Sequence, residues 1–333
     1  MLGALILTAC GGQGGTSSSS TDSGTNEQTR EPSQESKELT KLTFSLGYTT
    51  TLETLAPEIA IDKGFFEEEG LEVDLVEYGG GSALMQAYAA GEAKIGISAS
   101  TTTIQAAAKG VPVKMVAMAL NPLAEYVVVR SDLGITDPAQ LKGRTIGITR
   151  QGSLTEMEAK LVTEQAGLQP GDYNLAPLGT VQAMKAALEE KQADAAVMFG
   201  PLVSQMVVDG TGQVLVRMSD VVPQASNEMI GASSSFIEEH PEQIQAFLRG
   251  YFKAIQWMKD NPDETIEIIS SSFQIAPEVA KDYYESNIEH LSADGVIDRK
   301  GLEWTAESLQ KLNLVDSKPD LDSMVDDSFT PAN

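Results

Sequence analysis

Few residues in this chain have side chains suited to covalent or metal chemistry. It contains one cysteine, Cys10, and two histidines, His240 and His290, which lie far apart in the sequence. One cysteine cannot form a disulfide within the chain, and neither a CxxC pair nor a cluster of histidines is present to bind zinc. Two separate histidines also give little basis for histidine-dependent catalysis. The sequence therefore favours a binding protein over an enzyme, and it predicts no catalytic residue, no metal site and no cofactor.

The single cysteine ends a short apolar segment. Residues 1–10 read MLGALILTAC. This run is too short to cross a bilayer, which takes about 20 apolar residues, and it looks like the end of a secretory signal peptide. Leu-Thr-Ala-Cys followed by two glycines resembles a bacterial lipobox, in which the cysteine becomes attached to diacylglycerol. We therefore predict that Cys10 is lipidated and anchors the protein to the outer face of a bacterial cell membrane.

A polar segment follows the cysteine. Residues 16–38 contain no hydrophobic side chain, and 11 of these 23 residues are Ser or Thr. Such a segment cannot bury enough apolar surface to offset the entropy lost on ordering. Residues 11–38 are therefore predicted to be a disordered tether between residues 1–10 and a folded body that begins at residue 39.

The overall charge limits the classes of partner. The 333 residues include 23 Lys and Arg against 48 Asp and Glu, which gives a net charge of −25. A protein this acidic repels phosphate backbones, so a nucleic-acid partner is excluded. The length suggests about two domains of ordinary size.

From residue 39 onward, short apolar segments alternate with helical segments of about ten residues. Strands are predicted over residues 42–46, 71–78, 94–98, 113–120, 126–130, 145–149 and 195–199, with one more near residue 175. Helices are predicted over residues 55–62, 83–90, 101–109, 154–166, 181–191, 241–259, 262–272, 277–290 and 300–312. This alternation predicts an α/β fold built from βα units on mainly parallel sheets. Residues 84–97 also match residues 184–197 in apolar spacing, which suggests two similar lobes with a cleft between them.

Four segments carry a more specific pattern. They read AIDKGFFEEEGLEV at residues 60–73, GEAKIGI at 91–97, LKGRTIG at 141–147 and DAAVMFGP at 194–201. In this order, they resemble the nitrate/sulfonate/bicarbonate family of ABC-importer substrate-binding proteins. The resemblance implies a type II periplasmic-binding-protein fold, with two α/β lobes around a ligand cleft and a helical C-terminal part. It places the first lobe at residues 39–125 and 227–333 and the second lobe at residues 126–226.

The same resemblance implies the partners and the site. We expect a monomer that binds a small molecule by closure of the lobes and delivers it to an ABC permease and its ATPase. The expected ligand contacts lie after first-lobe strands and at second-lobe helix starts. They are Tyr48, Thr49, Thr50, Thr51, Ser98, Ser100, Thr101, Glu125, Arg150, Gln151, Gly152, Ser153, Thr155 and Phe199.

The chemistry of these positions agrees with a ligand cleft but leaves alternatives open. Ser100, Thr101 and Ser153 lie at predicted helix starts, where hydroxyl and N–H groups can bind an oxyanion, although Ser and Thr there also serve as helix caps. Arg150 either pairs with an anion or faces solvent. Glu125 is a candidate contact for a cationic or hydrogen-bonding ligand.

Two ligand classes and two other functions remain open on the sequence. A small organic anion, such as an alkanesulfonate, nitrate or an aromatic carboxylate, is the first expectation. The high negative charge opposes an anion, so a thiamine-precursor pyrimidine or another nitrogenous heterocycle is the alternative. Family enzymes that make the thiamine pyrimidine carry a Cys-rich signature, which this chain lacks. An adhesin or sensor that uses the fold without transport is the remaining hypothesis for the function.

Overall fold

A computed structural model describes residues 39–330, which form two five-stranded sheets flanked by helices. The predicted lipidation site Cys10 and the predicted tether lie outside the described residues. The strands are β1 (Thr40–Leu46), β2 (Leu71–Glu77), β3 (Ile95–Ala99), β4 (Val113–Leu120), β5 (Tyr126–Arg130), β6 (Thr145–Ile148), β7 (Asn174–Pro177), β8 (Ala195–Met198), β9 (Gly212–Arg217) and β10 (Glu228–Ser233). The helices are α1 (Leu52–Asp62), α2 (Phe65–Glu68), α3 (Gly81–Ala90), α4 (Ser100–Ala108), α5 (Leu154–Gln165), α6 (Val181–Glu189), α7 (Pro201–Val208), α8 (Met218–Val221), α9 (Ser234–Glu239), α10 (Pro241–Asp260), α11 (Pro262–Ser272), α12 (Pro277–Asn287), α13 (Arg299–Lys311) and α14 (Leu321–Met324). Short 3-10 turns occur at Ser131–Leu133, Pro138–Leu141, Ile288–His290 and Asp327–Phe329.

The two sheets share one topology. Their strand orders are β2-β1-β3-β10-β4 and β7-β6-β8-β5-β9. We call each sheet with its flanking helices a lobe, numbered in that order. The repeat predicted from the sequence lies at matching places, because α3 and β3 of the first lobe correspond to α6 and β8 of the second. Leu84 and Met184 hold equivalent positions in α3 and α6, and both are fully buried. The α/β class predicted from the alternating pattern is confirmed.

Both sheets are mixed: four of the five strands of each run in one direction, as the sequence predicted, and one strand runs the opposite way. Each sheet has two parallel pairings, and the pairings that involve β10 or β5 are antiparallel. These two strands join their sheets where the chain passes between lobes, over residues 121–125 and 218–227, rather than through a βα unit. The sequence analysis did not predict β9 or β10. The predicted lobe boundaries fall beside these two connections, and the division into domains stays a prediction.

Aromatic packing fixes the helices against the first sheet. Phe44 of β1 stacks on Phe247 of α10 with ring centroids 4.4 Å apart, and Phe66 of α2 stacks on the same ring at 5.0 Å. The long helix α10 therefore packs against β1 of the first sheet. Helices α10, α11 and α12 each begin with a proline, a residue favoured in the first helical turn. All three begin at the residues predicted from the sequence, 241, 262 and 277. None of the described helices is long and apolar enough to cross a membrane.

Candidate ligand-binding cleft

A cavity of about 210 Å³ opens between the two lobes. Its wall comprises the loops that follow β1, β2, β6, β7 and β8, together with both connections between the sheets. The starts of α1, α3, α5, α6 and α7 also reach it. Carboxyl ends of parallel strands and helix N-termini thus meet at one place, which is the usual position of a ligand in α/β proteins.

One side of the cavity is a buried acidic wall, formed by Glu53, Glu125 and Glu228. Their exposed fractions are 3%, 6% and 4%. The Tyr48 hydroxyl donates a hydrogen bond of 3.2 Å to Glu53 Oε1, and Asn227 Nδ2 donates one of 3.2 Å to Glu125 Oε2. Within residues 39–330, no basic side chain forms a salt bridge with any of the three. The wall therefore offers acceptor oxygens without cations to neutralise them.

Burial raises the pKa of every carboxyl in the acidic wall. For Glu125, burial and then the nearby charge of Glu53 raise the pKa from 4.5 to about 7. Burial, followed by the charge of Glu53, holds the pKa of Glu228 well above its ordinary value. The pKa of Glu53 is also raised, by burial, although hydrogen bonds with Thr51 and Tyr48 partly oppose the shift. Some of these groups are therefore protonated near neutral pH.

Two acceptor atoms at the cavity have no partner. Asn227 and Glu228 both line the cavity, and neither Asn227 Oδ1 nor Glu228 Oε2 has a hydrogen-bond donor among the described residues. A buried polar atom left unpaired costs about 1–3 kcal/mol. A ligand that brings N–H donors to these atoms would recover part of that cost.

Aromatic rings from both lobes face the same space. Tyr48 of the first lobe and Phe199 of the second contact edge to face, with ring centroids 5.6 Å apart and planes at 60°. Tyr283 of α12 also lines the cavity. Ring pairs in this arrangement offer apolar contact to a planar ligand. Beside them, Thr50 has a φ of 72°, a strained conformation for a β-branched residue and one that often marks a functional site.

A guanidinium group also lines the cavity. Arg150 of the second lobe lines the cavity and lies against Gly80 of the first. A Cβ placed on Gly80 would lie 2.0 Å from Arg150 Nη2, so only glycine leaves room for the guanidinium. Gly80 has a φ of 149°, which also favours glycine. This contact joins the two lobes at the edge of the cavity.

We expect Gly80→Ala to displace Arg150 from the cavity edge. Gly79→Ala is the matched control, because Gly79 also has a positive φ but a Cβ there meets no atom within 4 Å. Each substitution places a side chain on a backbone with positive φ and should cost about 1–3 kcal/mol through backbone strain. Only Gly80→Ala should speed the modification of Arg150 by phenylglyoxal, followed by peptide mass spectrometry. Equal rates in the two variants would contradict the packing role of Gly80.

Nine of the fourteen residues predicted for the site line the cavity. They are Tyr48, Thr49, Thr50, Thr51, Glu125, Arg150, Ser153, Thr155 and Phe199. Ser153 is the N-cap of α5, where its Oγ accepts from the Glu156 N–H at 3.3 Å and donates to the Arg150 carbonyl at 2.7 Å. This geometry corresponds to the capping alternative for Ser153.

The other five predicted residues do not line this cavity. They are Ser98, Ser100, Thr101, Gln151 and Gly152. The start of α4 is covered by the chain returning from the second lobe, because Asn227 O accepts from the Ser100 N–H at 2.8 Å. Ser100 Oγ donates to Ser226 O at 2.9 Å, and Ser98 Oγ pairs with Thr103 Oγ1 at 2.9 Å.

The remaining three are also turned elsewhere. Thr101 is fully buried, away from the cavity. Gln151 and Gly152 lie in the loop before α5 and face α4, where Gln105 Nε2 donates to Gly152 O at 2.5 Å. The loop therefore uses these residues for a contact between lobes.

The sequence analysis did not single out several residues that line the cavity. The acidic ones among them are Glu53, Glu77 and Glu228, of which Glu77 is exposed. Glu53 lies between Leu52 and Thr54 at the start of α1, and Asn227 and Glu228 lie at the predicted second crossing. An acidic residue in the first turn of a mostly apolar helix was the available signal for Glu53.

The fold is that of a periplasmic binding protein. The structure is similar to the alkanesulfonate-binding protein SsuA from Xanthomonas axonopodis pv. citri bound to MOPS, with a TM-score of 0.75 and 18% identity over 86% of this chain and 98% of that one. The type II periplasmic-binding-protein fold expected from the sequence is thereby confirmed.

The chain belongs to the NMT1/THI5-like family, which matches residues 57–265. It is 28% identical to the formylaminopyrimidine-binding protein of Halalkalibacterium halodurans, over 70% of this chain and 72% of the relative. A Bacillus subtilis protein named for binding aliphatic sulfonates is 24% identical over 81% and 82%. A Schizosaccharomyces pombe relative, 25% identical over 76% of each chain, is named 4-amino-5-hydroxymethyl-2-methylpyrimidine phosphate synthase. The resemblance expected from the four sequence segments is confirmed.

Proposed function

We propose that this protein is the extracytoplasmic receptor of an ABC importer and binds a planar nitrogen heterocycle with amino groups, of the aminopyrimidine class. The observation that supports this ligand most strongly is the acidic wall of Glu53, Glu125 and Glu228, which has unpartnered acceptor oxygens beside it. Amino groups and protonated ring nitrogens are the donors such a wall requires. The name of the Halalkalibacterium halodurans relative supports the same class.

The aromatic pair completes the fit to a planar ring. Tyr48 and Phe199 come from different lobes and contact each other, so a ring that packs against this pair contacts both lobes. Contacts to both lobes favour the closed arrangement, and this is how a ligand shifts a two-lobe equilibrium. The same step would present the loaded protein to a permease.

A small organic anion is the second candidate. Arg150 and the starts of five helices at the cavity support it, because helix N-termini carry partial positive charge. The relatives named for sulfonates support it too. The acidic wall opposes it, since an anion beside buried carboxylates raises the electrostatic energy of the complex. We therefore place the heterocycle first.

A receptor fits the cavity better than an enzyme does. The lining residues among the described part of the chain include carboxylates, hydroxyls, amides and one guanidinium, and they include no Cys, His or Lys. The pyrimidine synthases among the relatives leave an enzyme as the alternative function. The proposed receptor role includes lipidation at Cys10, anchoring to the outer face of the cell membrane, and a permease partner.

Thermal unfolding with candidate ligands tests the proposal. Aminopyrimidines that carry a formylamino or hydroxymethyl group are compared with alkanesulfonates, nitrate and aromatic carboxylates. A ligand at 100 times its dissociation constant stabilises the folded state by about 2.7 kcal/mol, which corresponds to a rise in Tm of roughly 5 °C or more for a chain of this size. We expect the rise with aminopyrimidines. A rise with sulfonates or nitrate alone would overturn the heterocycle assignment.

A further inference from the structure

A fourth glutamate lies behind the acidic wall. Glu158 of α5 is fully buried, and it does not line the cavity. No Lys, Arg or His within residues 39–330 forms a salt bridge with it, and neither of its carboxyl oxygens has a partner among the N–H and hydroxyl donors there. An ionised carboxylate in this position would be very costly. Glu158 is therefore expected to be protonated and to donate its O–H to a nearby acceptor.

The acceptor is Glu125. Glu158 and Glu125 are both buried, and a side-chain hydrogen bond between them, together with the charge of Glu125, contributes to the pKa shifts of the two groups. Two buried carboxylates in contact cannot both be ionised, so the pair keeps at least one proton. If that proton is on Glu158, its O–H donates to Glu125, which stays an acceptor for Asn227 Nδ2 at 3.2 Å and for the cavity.

The position of the pair in the fold gives it a function. Glu125 lies at the first connection between the lobes, Asn227 at the second, and Glu158 one turn into a helix whose start lines the cavity. The carboxyl of Glu125 is thus held from two directions by donors on separate segments. A group fixed in this way loses little entropy when a ligand binds.

We propose that Glu158 is a positioning residue for the ligand: as a neutral acid behind the cavity, it donates a hydrogen bond that orients Glu125 toward an amino group of the bound molecule. The proposal rests on the proposed function for the nature of the ligand. The hydrogen bond itself belongs to the ligand-free protein, so it can be tested separately.

The charges around Glu158 and Glu125 support the placement of the shared proton on Glu158. Burial, followed by the charges of Glu125 and Glu228, holds the pKa of Glu158 well above its ordinary value. The hydrogen bond from Glu158 lowers the pKa of Glu125, whereas burial and Glu53 raise it. Glu158 is therefore the partner that retains the proton.

Two substitutions separate positioning from bulk packing. Glu158→Gln keeps a donor of the same shape, and Glu158→Leu keeps a similar volume without a donor. We expect Glu158→Gln to bind an aminopyrimidine probe within about threefold of the unaltered protein, and Glu158→Leu to bind it at least tenfold more weakly, each measured by calorimetric titration. Equal binding by the leucine variant, or equally weak binding by both variants, would overturn the proposal.

A second readout needs no ligand. In protein labelled with 13C at glutamate carboxyls, the Glu125 resonance is assigned by its loss in Glu125→Gln. Its titration midpoint should stay near that of the unaltered protein in Glu158→Gln and rise in Glu158→Leu, because the charged form of Glu125 loses its donor. An unchanged midpoint in the leucine variant would refute the hydrogen bond. If that variant does not fold, Glu158→Asp, which shortens the side chain by one methylene, should show the same rise. If no aminopyrimidine binds the unaltered protein, the proposed function fails and this titration still decides the role of Glu158.

Discussion

The ligand-free protein is expected to lose stability as the pH rises from 5 to 8. The reason is that burial raises the pKa values of Glu53, Glu125, Glu158 and Glu228 in the folded state. Between the pKa of an unfolded glutamate and that of the folded one, the folded state binds more protons than the unfolded state. The free energy of unfolding therefore falls with increasing pH.

The size of the loss follows from Glu125. Its pKa changes from an ordinary 4.5 to about 7, and each pH unit between those values removes about 1.4 kcal/mol. Glu125 alone therefore contributes a loss on the order of 3 kcal/mol, complete once the pH exceeds about 7. Glu158 and Glu228, whose pKa values burial also raises, add to the decline.

Urea unfolding at pH 5, 6, 7 and 8 measures this effect. Glu125→Gln should flatten the profile, because the variant cannot release the proton whose loss destabilises the fold. Glu67→Gln is the matched control, since Glu67 is an exposed glutamate of α2, and it should leave the profile unchanged. A free energy of unfolding that stays constant or rises over this pH range would show that the acidic wall is not protonated.

Local patterns in the sequence predicted the elements that hold the cleft. The alternation of apolar and helical segments located eight of the ten strands in the described residues, and the match between residues 84–97 and 184–197 corresponds to equivalent units of the two lobes. Loops after strands were the expected ligand contacts, and residues 48–51 line the cavity. These features depend on interactions within one βα unit, which a sequence pattern records.

Contacts between distant segments account for what the sequence did not reveal. Ser100 is at a helix start, as expected, but residue 227 returns from the other lobe and covers it. Glu53 and Glu228 belong to residue types that usually face solvent. Only the meeting of α1, β10 and the first connection places their side chains together away from water. The sequence therefore predicted the position of the cavity better than the chemical groups that line it, because those groups are brought together only by tertiary structure.

Replacing Glu228 by glutamine is expected to weaken ligand binding and to stabilise the ligand-free protein. Glu228 is buried, and its Oε2 has no hydrogen-bond partner among the described residues. A hydrogen bond to a charged group contributes about 1.5–3 kcal/mol, so the dissociation constant for an aminopyrimidine should rise about 10- to 100-fold. The same change removes a carboxyl that the fold holds at a cost when ionised.

Opposite changes in the two measurements identify a group retained for binding at the expense of stability. Calorimetric titration gives the affinity, and urea unfolding at pH 8 gives the stability of the ligand-free variant. Glu77→Gln is the matched control, because Glu77 lines the same cavity but is exposed, and water screens its charge, so both quantities should change little. If Glu228→Gln lowered stability and left affinity unchanged, Glu228 would be a structural residue and the acidic wall would not be the ligand's acceptor. Affinity and stability measured together therefore also test the ligand class. An anionic ligand would bind the glutamine variant more tightly, whereas an aminopyrimidine would bind it more weakly.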